Sequence, residues 1–347
     1  MVVGATGNAG TSLLQTLAGE PAVDSVVGIA RRRPELQFAK TDWATADIAE
    51  SGLAALFHGA DAVVHLAWLI QPSRDKNLLW RVNVDGSTRV FRAVVEAGVG
   101  TLVYASSVGV YSPGPKDRRV DESWPRDGVR TNEYSLQKAE VERRLDRFER
   151  EQPEVRVVRL RPALIFKRES ATEQRRLFAG PFLPGSLVRP GLIPFVPEIP
   201  ELVTQAVHSY DVGDAYRLAV VNDGARGAFN VASEPELDLT TFAKLLRART
   251  FRMSASTARA LAAIAWRLRL TPIPPSWLDM GLASPLLDST RARAELGWEP
   301  QYSSERAVAD LLDGMRHSAG LETPPLSPRT SGPARIRELA TGIGKRP

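Results

Sequence analysis

The chain has 347 residues, enough for one large α/β domain with a smaller lobe or for two domains. The absence of cysteine excludes disulfides, thiolate metal sites and cysteine nucleophiles, and the four scattered histidines show no ligand spacing, so we predict no metal. The net charge of the chain is +5, and residues 322–347 contribute five basic and two acidic groups to it. The rest of the chain is therefore close to neutral, which argues against nucleic-acid binding.

No stretch of the sequence is typical of a targeting or membrane-spanning segment. The N-terminus has no basic flank followed by a long apolar run, and the longest helix-like apolar run, residues 260–266, is far too short to cross a bilayer. We therefore predict a soluble, cytoplasmic protein with a small-molecule substrate, no nucleic-acid partner and no membrane partner.

The first half of the chain alternates short apolar runs with amphipathic segments, which predicts βαβ units around a parallel sheet and an α/β fold class. The predicted strands are residues 1–3, 25–30, 62–66, 101–106 and 155–160. The predicted helices between them are residues 9–18, 77–97 and 134–149.

From about residue 167 the pattern is less regular. Six prolines between residues 180 and 200 predict a loop-rich covering segment. The final 26 residues, with five prolines and few large apolar side chains, are predicted to be disordered. The elements predicted between these segments are a helix at 212–221, a strand at 228–232 and helices at 240–249, 257–267 and 304–317.

A glycine-rich segment follows the first predicted strand and opens the first predicted helix. Glycines let the backbone turn tightly and approach a pyrophosphate, and the helix N-terminus supplies free amides with partial positive charge. An ordinary glycine turn is the alternative. The residues predicted to bind a dinucleotide here are Gly4, Thr6, Gly7, Asn8, Ala9 and Gly10.

The end of the second predicted strand bears on which dinucleotide is bound. An acidic residue about 20 positions after the glycines would hold the ribose hydroxyls of NAD, but here the strand ends in Ala30-Arg31-Arg32-Arg33. Because Arg31 and Arg32 suit a ribose 2′-phosphate, NADP is favoured over NAD. A solvated basic turn is the alternative.

Further cofactor contacts are predicted after later strands. Asp47 and Ile48 are predicted to contact adenine, Leu66 and Ala67 to lie near the pyrophosphate, and Asn83 to contribute from the next helix. Each is weak evidence alone, because a single polar residue is more often a satisfied structural group.

Tyr134 and Lys138 are four residues apart, about one helical turn, and therefore lie on one helix face. There the ammonium would stabilise a phenolate and lower the pKa of the phenol, so that it exchanges a proton near neutral pH. Ser107 ends an apolar strand upstream. The alternatives are a surface tyrosine and a serine that caps a turn.

These motifs resemble, in order and spacing, the extended short-chain dehydrogenase/reductase family, also called the NAD-dependent epimerase/dehydratase family. The resemblance covers residues 1–318. The segments that carry it are Gly4-x-x-Gly7-x-x-Gly10, Asp47-Ile48, His65-Leu66-Ala67, Ser106-Ser107-Val108-Gly109-Val110-Tyr111, Tyr134-x-x-x-Lys138, Arg161-Pro162, and residues 208–215, 229–232, 288–291 and 296–298.

The resemblance implies a domain organisation. It comprises a Rossmann-type doubly wound parallel sheet over residues 1–166, joined in part by residues 205–233, and a smaller C-terminal α/β substrate-binding lobe over 167–320. A disordered basic tail over 321–347 completes it.

The resemblance also implies roles for site residues. Ser107 would hydrogen bond the reacting oxygen, and Tyr134 would be the general acid/base. Lys138 would lower the pKa of Tyr134 and hold the nicotinamide ribose, with Tyr134, Lys138 and Pro162 also touching the cofactor.

Departures from the family pattern bear on the substrate. Sugar-nucleotide enzymes commonly carry an asparagine where this chain has Leu164, and 4,6-dehydratases carry an acidic pair where it has Val108-Gly109. We therefore expect an oxidoreductase that interconverts a secondary alcohol and a ketone on a small, partly apolar substrate, and not a dehydratase. Its apolar walls would come from Leu164, Ile165, Phe166 and the proline-rich segment.

Two other functions stay open. A nucleotide-sugar 4-epimerase with retained NAD would still find basic residues for a diphosphate, and a non-catalytic NAD(P) sensor would use the fold without turnover. The basic residues in question are Arg161, Lys167, Arg168, Arg175, Arg176 and Arg189. Helices 77–97 and 134–149 correspond to a dimer interface in many relatives, so a homodimer is possible.

Most relatives carry several more residues before the glycine loop than this chain does. We expect an upstream extension to raise thermal stability and cofactor affinity.

Overall fold

The computed structural model describes residues 1–50, 52–71, 73–180, 185 and 188–331. The strands are β1 (Val2–Val3), β2 (Val26–Ala30), β3 (Thr41–Thr45), β4 (Ala62–His65), β5 (Thr101–Ala105), β6 (Arg119–Val120), β7 (Arg156–Pro162), β8 (Leu164–Phe166), β9 (Phe195–Glu198), β10 (Ala206–His208), β11 (Gly227–Val231), β12 (Arg249–Arg252) and β13 (Leu286–Leu287). The α-helices are α1 (Asn8–Ala18), α2 (Leu53–Phe57), α3 (Lys76–Trp80), α4 (Gly86–Glu96), α5 (Glu133–Glu151), α6 (Ala171–Gln174), α7 (Ser209–Val221), α8 (Leu239–Leu246), α9 (Ala255–Arg267), α10 (Ser276–Ala283) and α11 (Ser304–His317).

The central sheet has seven parallel strands in the order β11-β7-β5-β4-β1-β2-β3. Every residue of β7 is buried, as expected for a strand covered on both faces. From β1 the chain adds β2 and β3 on one side of the sheet and then β4, β5, β7 and β11 on the other, so the strand order reverses between β1 and β4. Ligands of doubly wound sheets bind at such a switch point, beyond the carboxyl ends of the strands. The predicted α/β fold with a doubly wound parallel sheet is confirmed.

Helices cover both faces of the sheet, and each face has its own apolar core. On one face α1 packs on α7, where Leu13 and Tyr216 are buried. On the other face α4 packs on α5, where Phe91 and Leu145 are buried. The sheet edge that carries the candidate site is therefore held rigidly from both sides.

The helix predicted at residues 77–97 is divided in the structure. A π-helical turn, Arg81–Asp85, separates α3 from α4. Within this turn the buried Asn83 amide hydrogen bonds both the N–H and the C=O of Leu69, at 2.7 and 2.8 Å. Tertiary hydrogen bonds of this kind leave no trace in apolar periodicity, so the sequence predicted one continuous helix.

Outside the central sheet the strands form short parallel pairs: β8 with β10, β9 with β12, and β6 with β13. β9 lies in the segment predicted as loop-rich, and it carries Pro197. A proline is tolerated there because both strands of a two-stranded sheet are edges. Residues 181–184, 186 and 187 of that segment lie outside the described residues.

The boundary predicted for the disordered tail needs correction at its start. Thr323 and Leu326 are buried, and the Thr323 hydroxyl donates to the Thr6 carbonyl at 2.9 Å. This segment therefore packs on the glycine loop in spite of its prolines. Residues 332–347 lie outside the described part of the chain.

The described residues include neither a membrane-spanning helix nor a metal-binding cluster. None of their helices combines the length and apolar character needed to cross a bilayer. None of their clusters of His, Cys, Asp or Glu could hold a metal ion.

Candidate active site

The glycine loop brings the end of β1, the start of α1 and the end of β4 into direct contact. Gly4 has a φ of +88°, and a Cβ there would lie 2.6 Å from the Ala67 amide nitrogen. A Cβ on Gly10 would lie 2.5 Å from the Gly4 carbonyl oxygen. The N-cap Gly7 has no side-chain acceptor, so the first amides of α1 are left for an anionic ligand.

A cavity lies above this loop and crosses the carboxyl ends of four neighbouring strands. Its lining includes Gly4, Thr6 and Gly7 after β1, Arg31 and Arg32 after β2, Asp47 and Ile48 after β3, and Leu66, Ala67 and Trp68 after β4. Strands spaced by about 4.8 Å make this row about 14 Å long. The row of glycines, arginines and backbone amides fits an extended dinucleotide.

Most of the predicted cofactor residues line this cavity. The predicted residues that do not line it are Asn8, Ala9, Gly10, Asn83, Tyr134, Lys138 and Pro162. The Asn8 amide donates to the Ile165 carbonyl at 3.1 Å, and Gly10 serves close packing of α1. The Asn83 amide is hydrogen bonded to Leu69 and, at 2.9 Å, to Gln137, and its contact with a cofactor stays a prediction.

Tyr134 stands in the first turn of α5, which is tied to the end of β5. Asn132 caps the helix by accepting from the Ser135 amide at 2.9 Å. The Ser135 hydroxyl donates to the Gly109 carbonyl at 2.5 Å, while the Gly109 amide donates to Ser107 Oγ at 3.0 Å. This chain of hydrogen bonds places the Ser107 hydroxyl beside the Tyr134 phenol, with its own proton available for donation.

The Lys138 ammonium is buried and lies next to an aromatic wall. It donates to the Ala105 carbonyl at 2.6 Å, and it sits 3.6 Å from the ring centroid of Trp68 against 5.9 Å from that of Tyr134. Trp68 also lines the dinucleotide cavity. This single tryptophan therefore connects the cavity with the lysine and the tyrosine.

The predicted lowering of the Tyr134 pKa is not what this arrangement produces. Burial raises the pKa of Tyr134 to about 12, and the hydrogen bond with Ser107 opposes the rise only in part. Burial also lowers the pKa of Lys138 to about 7, against a raising effect of Glu142. The physical reason is that the ammonium faces Ala105 and Trp68, so desolvation outweighs attraction between the two groups.

An ion-pair network lies behind the site. Glu142, on α5, receives two hydrogen bonds from the guanidinium of Arg161, on β7, at 2.9 and 2.5 Å, and one from the Ser106 hydroxyl at 2.5 Å. These partners lower the pKa of Glu142 to about 2, although burial alone would raise it. Arg161 also donates to the Tyr111 hydroxyl at 2.9 Å.

The basic residues considered for a diphosphate are mostly engaged elsewhere. Arg161 is 2% exposed and Lys167 is 1% exposed, and Lys167 donates to Thr11 and Ser12 hydroxyls, each at 2.8 Å. Arg175 and Arg176 are buried, Arg168 pairs with Asp313 at the surface, and only Arg189 is both exposed and without an ion pair in the described chain.

Several site residues were not predicted from the sequence. Trp277, on α10, stacks at 5.2 Å between ring centroids on Tyr134, and Phe178 meets Trp277 edge to face at 5.1 Å. Glu173, Pro324 and Pro325 line the dinucleotide cavity. Only Trp68 had a sequence signal that could have identified it, because it directly follows the His65-Leu66-Ala67 motif. The other residues belong to distant segments of the chain.

Comparison with known proteins gives a family and a fold. The model of the NAD dependent epimerase/dehydratase family matches residues 1–179. Thermus thermophilus UDP-glucose 4-epimerase, solved with NAD, superimposes with a TM-score of 0.66 at 18% identity over 92% of this chain and 99% of the epimerase.

Two curated relatives illustrate the range of sequence similarity. The uncharacterised protein Rv2047c of Mycobacterium tuberculosis is 28% identical over 92% of this chain, which spans only 30% of the length of that relative. The 3beta-hydroxysteroid-dehydrogenase/decarboxylase isoform 1 of Arabidopsis thaliana is 33% identical over 34% of this chain and 26% of its own length.

Replacing Glu142 by glutamine should destabilise the protein by about 3–5 kcal/mol at pH 7, because the buried guanidinium of Arg161 loses its counter-charge. The folded-state pKa of Glu142 is depressed from 4.5 to about 2, so its contribution is complete above pH 4.5 and is lost as the pH falls towards 2. Urea unfolding should therefore show a gap between wild type and variant that narrows from pH 7 to pH 3.

The matched control is Glu140→Gln on the same helix, which removes a partly exposed ion pair with Arg144. It should cost less than about 1 kcal/mol. Equal losses in the two variants, or a gap that does not change with pH, would contradict the assigned role of Glu142.

Proposed function

Because this chain belongs to the NAD-dependent epimerase/dehydratase family, we propose that it is an NADP-dependent oxidoreductase that interconverts a ketone and a secondary alcohol on a small apolar substrate. One observation carries the substrate class: the phenol of Tyr134 is bordered by the rings of Trp68 and Trp277, with Phe178 behind Trp277. Such a wall suits an apolar ring and offers little to a hydrated sugar diphosphate.

The proton chemistry follows from the same geometry. The raised pKa keeps the Tyr134 phenol protonated at neutral pH, so it is ready to donate to a ketone oxygen. Ser107 would hydrogen bond the same oxygen, because its Oγ accepts from Gly109 and its hydroxyl is within hydrogen-bond reach of the Tyr134 phenol. The resulting phenolate would be stabilised by Ser107 and by the Lys138 ammonium one turn away.

The row of cavity residues would hold the dinucleotide, with the nicotinamide end at Ala67 and Trp68. When bound, a nicotinamide dinucleotide supplies the hydride that such a reduction needs. Arg31 and Arg32 line the other end of the cavity, beside Asp47 and Ile48, and support a preference for NADP.

A nucleotide-sugar 4-epimerase with retained NAD is the second candidate, favoured by the likeness to the Thermus thermophilus UDP-glucose 4-epimerase. The burial of Arg161 and Lys167 speaks against it, because neither can reach a diphosphate without losing its present partners. The Arabidopsis thaliana relative, whose name includes hydroxysteroid dehydrogenase, supports an apolar alcohol or ketone instead.

A homodimer and a cytoplasmic location also stay predictions. The outer face of α5 carries ion pairs of Arg144 with Glu140 and Asp85, which suit solvent and a polar subunit interface equally.

Replacing Tyr134 by phenylalanine should lower turnover of an alicyclic or aryl ketone with NADPH by about 100- to 10,000-fold, because the proton donor is lost. Cofactor affinity, measured by fluorescence titration, should stay within about twofold. Tyr302→Phe is the control, since that ring stacks on His208 away from the site. Unchanged turnover in Tyr134→Phe would assign the proton transfer to another donor.

Replacing Arg31 and Arg32 together by glutamine should weaken NADPH binding by about tenfold or more, since charge-assisted contacts with a 2′-phosphate are removed. NADH affinity should hardly change, and calorimetry with both cofactors separates the effects. Arg33→Gln removes a neighbouring exposed charge outside the cavity and serves as the control. An equal loss for NADH and NADPH would refute the NADP preference.

A further inference from the structure

Exposed large apolar side chains are concentrated in one stretch of the C-terminal lobe. Among the described residues, seven of the ten such side chains lie between residues 192 and 270. Each of these seven residues is 43–64% exposed. They are Leu192, Phe195, Phe251, Leu261, Ile264, Leu268 and Leu270. A soluble monomer rarely gathers its exposed apolar side chains in this way unless they serve a contact.

α9 is the centre of this stretch, and it packs on the body through one face only. Arg259 forms an ion pair with Asp279 at 2.7 Å, and the ring of Trp266 is covered by the Arg74 guanidinium at 3.5 Å. At 100° per residue these two anchors lie on the same side of the helix. None of the thirteen residues of α9 is buried.

The opposite side of α9 is apolar and faces outward. Leu261, Ile264 and Leu268 are 51%, 54% and 64% exposed, and their spacing places them about 140–200° from Arg259 around the helix axis. The helix is about 20 Å long, so these side chains form a continuous apolar row that no described residue covers.

The segment of the chain that carries this row is basic. Residues 239–270 contain seven Lys and Arg residues and no Asp or Glu. Within the described chain only Arg259 of the seven has an ion-pair partner, and the nearest acid in the sheet is Glu198, opposite Arg252. The unpaired cations are Lys244, Arg247, Arg249, Arg252, Arg267 and Arg269, all of them exposed.

We propose that residues 247–270, named here the α9 surface, dock on the surface of an anionic lipid bilayer. An amphipathic helix with an apolar row and flanking arginines lies in the interface, where the row enters the acyl boundary and the guanidinium groups meet lipid phosphates. This proposal departs from the prediction of no membrane partner, which was argued from the lack of a targeting or spanning segment, and a peripheral contact needs neither.

The charge argues for this occupant over the others. A twofold contact between two copies would set the same unpaired cations against each other. A nucleic acid would satisfy the arginines but leave the apolar row in water. An anionic bilayer satisfies both features at once.

The α9 surface adjoins the candidate active site. The chain runs from Leu270 directly to α10, where Trp277 contacts Tyr134, and the loop between is fixed by a hydrogen bond from the Ser73 hydroxyl to the Pro272 carbonyl at 2.6 Å. Docking would therefore place the substrate cleft close to the bilayer.

Flotation of the full chain with vesicles tests the proposal. The protein should float with vesicles of mixed phosphatidylcholine and phosphatidylglycerol, fail to float with phosphatidylcholine alone, and be released by salt. The variant Leu261→Gln/Ile264→Gln/Leu268→Gln should bind about a hundredfold more weakly, because three side chains no longer enter the bilayer. Arg267→Gln/Arg269→Gln should bind about tenfold more weakly.

Two control variants lie on another surface. Val95→Gln replaces an exposed apolar side chain of α4, and Arg147→Gln/Arg150→Gln removes two exposed charges of α5. Both should float like wild type. All variants should keep the wild-type melting temperature and the same turnover without vesicles, which separates this proposal from the proposed reaction.

Four results would overturn it. Equal flotation with both kinds of vesicle, or full flotation of the triple glutamine variant, would show that the α9 surface is not the contact. A wild-type dimer that dissociates in the triple variant would assign the surface to a second copy. DNA binding that depends on Arg267 and Arg269, without flotation, would assign it to nucleic acid.

Discussion

The carboxylate of Glu142 lies on α5, one turn after Lys138 and two turns after Tyr134, and it is fully buried. Desolvating such a group costs several kcal/mol, and only close partners make it tolerable. Arg161 of β7 and Ser106, the residue after β5, are those partners, so a single side chain joins the helix that carries two site residues to the strand end that leads to Ser107. The site is rigid because this joint lies behind it.

Burial of Tyr134 and Lys138 also determines which protonation states the site favours. A phenol with a raised pKa holds its proton at neutral pH, and a lysine with a lowered pKa is close to losing its charge. This combination favours donation to a ketone over abstraction from an alcohol. The aromatic wall and the engaged arginines limit the substrate in the same direction, towards an apolar ring rather than a diphosphate.

Local pattern was enough to predict the sheet and the glycine loop. Gly4 and Gly10 are needed for backbone contacts a few residues away, and strand periodicity is a nearest-neighbour property, so both leave clear signals. The Tyr134 and Lys138 spacing likewise located α5. The direction of the Tyr134 pKa shift was predicted wrongly. It depends on burial and on the direction in which the Lys138 ammonium points, and the helical spacing of the two residues determines neither.

Contacts between distant segments were beyond the sequence. Trp277 reaches Tyr134 across 143 positions of the chain, and Thr323 bonds to Thr6 across 317. Asn83 bonds to Leu69 across 14 positions and to Gln137 across 54, and neither bond was predicted. Such pairings are set by tertiary packing, so residue type and local spacing give them no advance signature.

Product analysis with purified protein tests the central claim most directly. Alicyclic and aryl ketones and UDP-galactose are each incubated with NADPH or NAD, and products and cofactor are quantified together. The account predicts that a ketone is converted to its secondary alcohol with one NADPH oxidised per turnover, while UDP-galactose is unchanged. Conversion of UDP-galactose to UDP-glucose with no net change in cofactor would contradict it.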